Sequence, residues 1–91
     1  MSIQVQHDAE RRRFETHLDG RSAHLSYTIQ GNAVVFDHTF VPDEFRGQGV
    51  AAALVREGLE EARRRHWKIV PQCSYVAAYL ERHPEFADLV A

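Results

Sequence analysis

Cysteine is scarce in this sequence, because Cys73 is the only one among 91 residues. A lone cysteine excludes an internal disulfide and a zinc site built from several thiolates. No apolar run approaches the roughly 18 residues that a membrane-spanning helix requires. The first residues, MSIQVQHDAERRR, lack the apolar stretch of a secretory signal. We therefore expect a cytoplasmic protein without a membrane partner, in which Cys73 is either a packed thiol or a reactive one.

An excess of positive charge is also missing from the chain. Eleven Lys and Arg residues stand against thirteen Asp and Glu residues, which gives a net charge of -2. Such a balance offers no general attraction for nucleic acid. The two arginine runs, at 11–13 and 63–65, are therefore expected to be solvated faces. The length and the 44% of hydrophobic residues predict one small globular domain spanning residues 1–91.

The first 41 residues alternate apolar and polar side chains, which is the period of a β-strand. Asp19-Gly20 and Gly31-Asn32 are typical of tight hairpin turns. The segment AVVFDHTFV, residues 33–41, is expected to be a longer and more buried strand. The predicted inward positions of the preceding strands are Ile3, Val5, Phe14, Thr16, Leu18, Ala23, Leu25, Tyr27 and Ile29. These patterns predict an antiparallel meander of about four strands.

The second half of the chain changes to a helical period. Residues 47–65 predict one amphipathic helix, and WKIVPQC predicts a short strand over residues 67–72. A short helix, SYVAAYLERH, follows with Ser74 as its cap, and a terminal turn or helix opens at Pro84. A strand, a helix and a strand in this order form a right-handed crossover, so residues 67–72 should pair in parallel with residues 33–41. The predicted fold class is α+β with a mixed sheet.

Two glycines, Gly47 and Gly49, stand where the buried strand meets the long helix. The first turn of a helix carries unpaired N–H groups and the positive end of the helix dipole, which together bind anions. Arg46 adds a guanidinium suited to phosphate oxygens. The Walker phosphate-binding pattern is excluded because no Gly-Lys-Ser/Thr follows. Gly47, Gly49 and Ala52 do match a dinucleotide fingerprint, but no acidic residue lies about twenty positions later. A plain turn is the remaining alternative.

The segment RGQGVA, residues 46–51, fits the R/Q-x-x-G-x-G/A signature of the GCN-related N-acetyltransferases. The stretches HTFVPDEFRGQGVAAALV and KIVPQCSYVAAYLERHPEF resemble the compact, single-domain branch of that superfamily. The resemblance covers residues 33–86 well and the first thirty by strand pattern only. It implies a minimal fold of this family, acetyl-CoA as co-substrate, an amine as acceptor and no metal.

The resemblance also implies where the cofactor binds. Pantetheine would lie in a gap between the strands at 33–41 and 67–72, with the thioester near His38 and Cys73. The implied pyrophosphate site is the backbone of the glycine loop. The predicted cofactor-binding residues are Phe40, Val41, Arg46, Gly47, Gln48, Gly49, Val50, Ala51, Tyr75, Tyr79 and Arg82. Either arginine run is a further candidate for the adenosine 3′-phosphate.

His38 and Cys73 are the predicted catalytic residues. Relatives of this branch often have an acidic residue at the position of Phe40, so a strand-borne carboxylate base is not expected here. His38 is then the best base by type, because an imidazole titrates near neutral pH. Alternatively, His38 packs beside Phe36 and Phe40 on one strand face. Cys73 is either an acyl-carrying nucleophile or a small buried side chain. Tyr75 or Tyr79 could protonate the leaving thiolate, or the two tyrosines could pack together.

Three functions therefore stay open from the sequence. The first is an N-acetyltransferase that works by direct attack of an amine on acetyl-CoA. The second is a coenzyme A or acyl-CoA binding module, or a partner subunit, that does not turn over. The third is a small protein-interaction domain with an inert glycine loop. We expect a monomer or a weak dimer, and the residues do not identify the acceptor amine.

Overall fold

Five strands form one mixed sheet in the computed structural model, which describes residues 3–45 and 47–91. The strands follow the chain order across the sheet, with three antiparallel pairs and a last parallel pair. The strands are β1 (Gln6–Asp8), β2 (Arg13–Leu18), β3 (Arg21–Gln30), β4 (Ala33–Phe40) and β5 (Lys68–Pro71). The helices are α1 (Val50–Arg65) and α2 (Ser74–Arg82), with 3-10 turns at Asp43–Phe45 and Pro84–Leu89. The predicted meander and crossover are confirmed.

The helices lie together on one face of the sheet. Helix α1 packs on β2 and β3, while α2 lies beside α1 and β5. Phe14, Leu25 and Phe36 project from the sheet and are fully buried. Gly58 lets α1 approach closely, because a Cβ there would lie 3.1 Å from Leu25 Cδ2. The core therefore occupies one layer between the sheet and the helices, and the opposite sheet face has no helix from the described residues packed on it.

Several predicted boundaries are wrong by a few residues. Ile3 and Val5 do not form a strand, and they pack against the core ahead of β1. Helix α1 begins at Val50 rather than at Gly47, because the preceding residues form a turn. Ser74 is the first residue of α2 and not its cap, which is Cys73. These boundaries depend on local backbone conformation, which the apolar pattern does not determine.

Strand β4 carries a bulge that changes which face its last residues occupy. Tyr27 pairs with Phe36, but the next residue back, Ser26, pairs with His38, so Asp37 is an extra residue in β4. After the bulge, Thr39 pairs with the buried Leu25 and faces the helices. The predicted packing of His38 beside Phe36 on one face is therefore wrong, since the two face opposite sides of the sheet.

Candidate active site

A cleft opens where β4 and β5 stop pairing. The last paired residues are Phe36 and Pro71, and the N–H of Cys73 donates to the Phe36 carbonyl at 2.9 Å. Beyond this bond, β4 continues to Phe40 and pairs with β3 alone, while the segment that follows β5 turns into α2. The cleft has a volume of about 620 Å³. Its lining residues are His38, Thr39, Val41, Phe45, Gly47, Gly49, Val50, Ala51, Ala52, Cys73, Ser74 and Tyr75.

The glycine loop and the start of α1 form one end of this cleft. Gly47 and Gly49 have φ angles of 78° and 74°, in the left-handed region that favours glycine. Gly49 is the N-cap residue of α1 and has no side chain with which to cap it. The first turn also carries no acidic residue. No cap side chain and no first-turn carboxylate therefore competes with an anion for the N–H groups of this turn.

Two other residues of the predicted loop site need separate mention. Arg46 lies outside the described residues. Gln48 does not line the cleft, because its side-chain amide donates to the Glu44 carbonyl at 3.1 Å. Its backbone N–H donates to the Phe45 carbonyl at 3.3 Å. Gln48 therefore stabilises the turn that precedes α1, and its side chain is directed away from the predicted ligand.

Cys73 and Thr39 meet across the cleft. The Thr39 Oγ1 and Cys73 Sγ atoms lie 3.3 Å apart. Burial by itself raises the pKa of the Cys73 thiol. The Thr39 hydroxyl, the N–H groups of Val76 and Tyr75 and the Thr39 N–H together outweigh burial, so the pKa is lower than usual. Thr39 was not among the residues predicted from the sequence.

Tyr27 donates its N–H to the Arg12 carbonyl, away from β4, and alternation along β3 directs Leu25 the same way, so its partner Thr39 directs its N–H toward the Cys73 side of β4. Strand alternation then directs the N–H of Phe40 toward β3, where Phe40 pairs with His24. The Phe40 side chain lies on the far face of the sheet and is 46% exposed. Val41 does line the cleft. The geometry thus favours Thr39 and Val41 over Phe40 as backbone contacts for a ligand.

His38 lies at the edge where the cleft meets the helix-free face of the sheet. It is exposed, and it lines the cleft. Its ring centroid is 6.1 Å from that of His24, and the His24 ring is 5.6 Å from the Phe40 ring. Burial first, and then the charges of Arg13 and His38, lower the pKa of His24. Because His38 is exposed and lines the cleft, its side chain contacts solvent and is also within reach of a ligand in the cleft.

The two tyrosines of α2 are separated by the fold. Tyr75 is 41% exposed and lines the cleft. Tyr79 is buried, lies outside the cleft lining and stacks on His83 with centroids 4.0 Å apart. Arg82 is exposed at the last turn of α2 and also lies outside the lining. Of these three predicted contacts, Tyr75 alone reaches the cleft.

The two arginine runs lie at different places: Arg13 pairs with Ser26 of β3, which pairs with the cleft residue His38. The run at 63–65 ends α1, whose 16 residues separate it from Gly49 by about 24 Å. Arg63 contacts both carboxylate oxygens of Asp88, at 3.0 and 3.1 Å. Arg13 lies 2.9 Å from Glu15. A contact between either run and the adenosine 3′-phosphate of the cofactor stays a prediction.

Two further observations concern metal ligands and membrane helices among the described residues. Within residues 3–45 and 47–91, no group of three or more His, Cys, Asp or Glu side chains is arranged to hold a metal ion. In the same part of the chain, no helix has the length and apolar character needed to cross a membrane.

Comparisons with known proteins agree with one another. A family model described as GCN5-related N-acetyl-transferase matches residues 13–89. Protein NATD1 of Gallus gallus is 36% identical over 85 residues, which cover 90% of this chain and 77% of the relative. Protein NATD1 of Homo sapiens is 35% identical, with coverage of 90% and 75%. The solution NMR structure of a GCN5-like protein from Staphylococcus aureus superposes with a TM-score of 0.76 and 28% identity, and covers 97% of this chain and 87% of that one.

Proposed function

The chain belongs to the GCN5-related N-acetyltransferase family, and we propose that it transfers an acetyl group from acetyl-CoA to an amine by direct attack. The observation that supports this most is the cleft between β4 and β5, which has the glycine loop at one end. Cys73, Thr39 and His38 lie along the same cleft. An anion site, a gap beside unpaired strand backbone and titratable groups are thus brought together.

In this proposal, the free N–H groups at the start of α1 bind the pyrophosphate. Gly47 and Gly49 allow it to approach, because a Cβ at either position would have open space around it and the positive φ suits glycine. The pantetheine arm follows β4, with the backbone of Thr39 and Val41 as hydrogen-bonding partners. The volume of about 620 Å³ is within the usual range for a small-molecule site.

The proposed reaction begins when the amine nitrogen attacks the thioester carbon. His38 takes the proton that the amine loses, and the Thr39 N–H stabilises the negative charge on the carbonyl oxygen. The C–S bond then breaks, and the coenzyme A thiolate takes a proton. Tyr75 and Cys73 are the donors near the cleft, and the lowered pKa of Cys73 makes it the better acid.

Direct attack is favoured over an acetyl-cysteine intermediate by the surroundings of Cys73. A nucleophilic thiol is normally activated by a neighbouring base. Among the described residues, the side-chain hydrogen-bond partner of Cys73 is the Thr39 hydroxyl, and no imidazole or carboxylate is in hydrogen-bonding contact with the thiol. Thr39 is too weak a base to serve this purpose at neutral pH. Cys73 is therefore proposed as a proton donor rather than as an acyl carrier.

A titration with coenzyme A followed by NMR tests the binding step, and an acetyl-transfer assay over several amine classes tests turnover. We expect the largest shifts at the N–H groups of residues 39–52 and near Cys73. If millimolar coenzyme A produces no shifts, or shifts elsewhere, the proposal is wrong at its first step.

A second function is favoured by one feature of the cleft. None of the described residues that line it is a carboxylate, and Phe40 is directed to the other face. A coenzyme A or acyl-CoA binding module, or a partner subunit, would have no need of a strong base. Saturable binding of coenzyme A without transfer to any amine class would favour this second function.

A further inference from the structure

The helix-free face of the sheet carries a carboxylate beside the cleft. The bulge places Asp37 and His38 together opposite Ser26. The Ser26 hydroxyl donates to Asp37 Oδ1 at 2.8 Å and lies 3.4 Å from the His38 carbonyl oxygen. Because Ser26 faces away from the helices, this bond holds the Asp37 carboxylate on the helix-free face. His38 connects this face to the cleft.

Asp37 differs from the other partly buried carboxylates of the described chain in having no cationic partner. The other five in that class, Asp8, Glu15, Glu57, Glu60 and Glu61, each contact an arginine within 4 Å. Within residues 3–45 and 47–91, the contact found for the Asp37 carboxylate is the Ser26 hydroxyl. Pairing with a cation would offset the desolvation of such an anion, because charge-assisted hydrogen bonds are stronger than neutral ones.

An amine that attacks a thioester first arrives as a cation. An aliphatic amine resembles the lysine side chain, whose pKa is about 10, and is therefore protonated at neutral pH. An aromatic amine is uncharged under the same conditions. The exposed Phe40 ring on the same face adds a surface that attracts cations. Asp37 and Phe40 thus suit an ammonium ion, with His38 between them in sequence.

We propose that Asp37 binds the acceptor amine as its ammonium ion, on the helix-free face of the sheet, and that it selects aliphatic primary amines over aromatic amines. This inference rests on the proposed acetyl transfer. The ammonium ion binds beside Asp37 and releases one proton to solvent. The neutral amine then attacks, and His38 takes the second proton as the C–N bond forms. Asp37 is a specificity-determining residue in this scheme, and it neither gains nor loses a proton.

The test uses two amines of similar size, benzylamine and aniline, with saturating acetyl-CoA. Asp37→Asn removes the charge but keeps an oxygen that can accept the Ser26 hydrogen bond. We expect the KM for benzylamine to rise about tenfold, while the coenzyme A affinity and the KM for aniline stay unchanged. Glu10→Gln is the matched control, because Glu10 is exposed at the β1–β2 turn and its loss changes the net charge equally.

A binding experiment on the wild-type chain needs no variant and no turnover. In the presence of coenzyme A, benzylamine should bind about tenfold more tightly than benzyl alcohol, its uncharged analogue. Benzylamine should shift the N–H signals of Ser26, Asp37 and His38. Equal binding of the two compounds, or an unchanged benzylamine KM or Kd in Asp37→Asn, overturns the inference. If neither amine is acetylated but the binding preference holds, the proposed transfer reaction fails and the ammonium site stands.

Discussion

The Thr39 hydroxyl and the Cys73 thiol lie 3.3 Å apart across the gap between β4 and β5. This contact spans 34 positions of sequence, and it exists because β4 turns Thr39 toward the helices after the bulge. It places a hydroxyl, a thiol and the Thr39 N–H at the point where the two strands separate. The chemistry of the cleft therefore depends on the register of β4.

Replacing Thr39 by Val should raise the pKa of Cys73. The substitution keeps the shape of the side chain but removes the hydroxyl, which is the main group that lowers this pKa against the effect of burial. The measurement is the rate of iodoacetamide alkylation of Cys73 as a function of pH. Thr28→Val, at an exposed position of β3, is the control. An unchanged alkylation profile in Thr39→Val would show that the hydroxyl does not stabilise the thiolate.

Gly49→Val should weaken coenzyme A binding by at least about tenfold, or 1.4 kcal/mol. The Cβ and its methyl groups would occupy space that is open at present and would strain a residue with φ of 74°. Gly31→Val is a matched control, since Gly31 also has a positive φ of 61° and open space around it but lies in the β3–β4 turn. Calorimetry gives both affinities. Equal losses in the two variants would mean that Gly49 serves the backbone turn alone.

His38→Ala should lower kcat by about 10² to 10⁴ and leave coenzyme A affinity nearly unchanged, because a general base acts on the reaction and not on cofactor binding. His17→Ala, at an exposed position of β2, should have normal kinetics. Steady-state rates and a coenzyme A titration separate the two effects. A parallel loss of coenzyme A affinity would instead identify His38 as a binding residue.

Cys73→Ala should retain most of the activity if the transfer is direct, since the variant loses one proton donor while Tyr75 remains at the cleft. The alternative mechanism requires near-complete loss in this variant, ping-pong kinetics and an acetyl group on Cys73 when no amine is present. Mass spectrometry of the protein after mixing with acetyl-CoA distinguishes the two. An acetyl-Cys73 species that forms and decays at the turnover rate would reverse our preference.

The folded protein should lose stability as the pH falls below about 6.5. Burial, together with the Arg65 charge, lowers the pKa of His7 despite the opposing Glu61 carboxylate. The unfolded chain therefore binds a proton at a higher pH than the folded chain, so acid favours unfolding until His7 protonates in the folded state. His24 has a pKa shifted in the same direction and adds to the effect.

Urea unfolding at pH 7.5 and pH 5.5 measures this dependence. His7→Gln should reduce the difference between the two free energies of unfolding, because glutamine does not titrate. The Gln side chain can still contact the Tyr27 hydroxyl, which lies 2.7 Å from His7 Nε2. His66→Gln, at an exposed position after α1, should leave the difference intact. The two pH values lie above the pH at which Glu61 titrates, because the Arg65 hydrogen bond lowers the pKa of Glu61. Equal pH dependence in wild type and His7→Gln would show that His7 is not the group responsible for the loss of stability.

Local patterns determined most of the architecture. The period-two alternation identified β2 and β3, and the helical period identified the amphipathic helix that is α1, because side-chain direction repeats with backbone geometry. The order of strand, helix and strand was sufficient to predict the parallel pairing of β4 and β5. The segment RGQGVA was sufficient to indicate an anion site, since a helix start and glycine flexibility are properties of adjacent residues.

Only the tertiary structure decided which side chains meet at the site. The extra residue Asp37 becomes visible when β4 is paired with β3, and it alone moves Thr39 to the cleft and His38 to the rim. Tyr79 is buried because α2 packs beside α1, while Tyr75 on the same helix is exposed. A bulge and a helix orientation depend on contacts between distant segments, which the alternation within one segment does not encode.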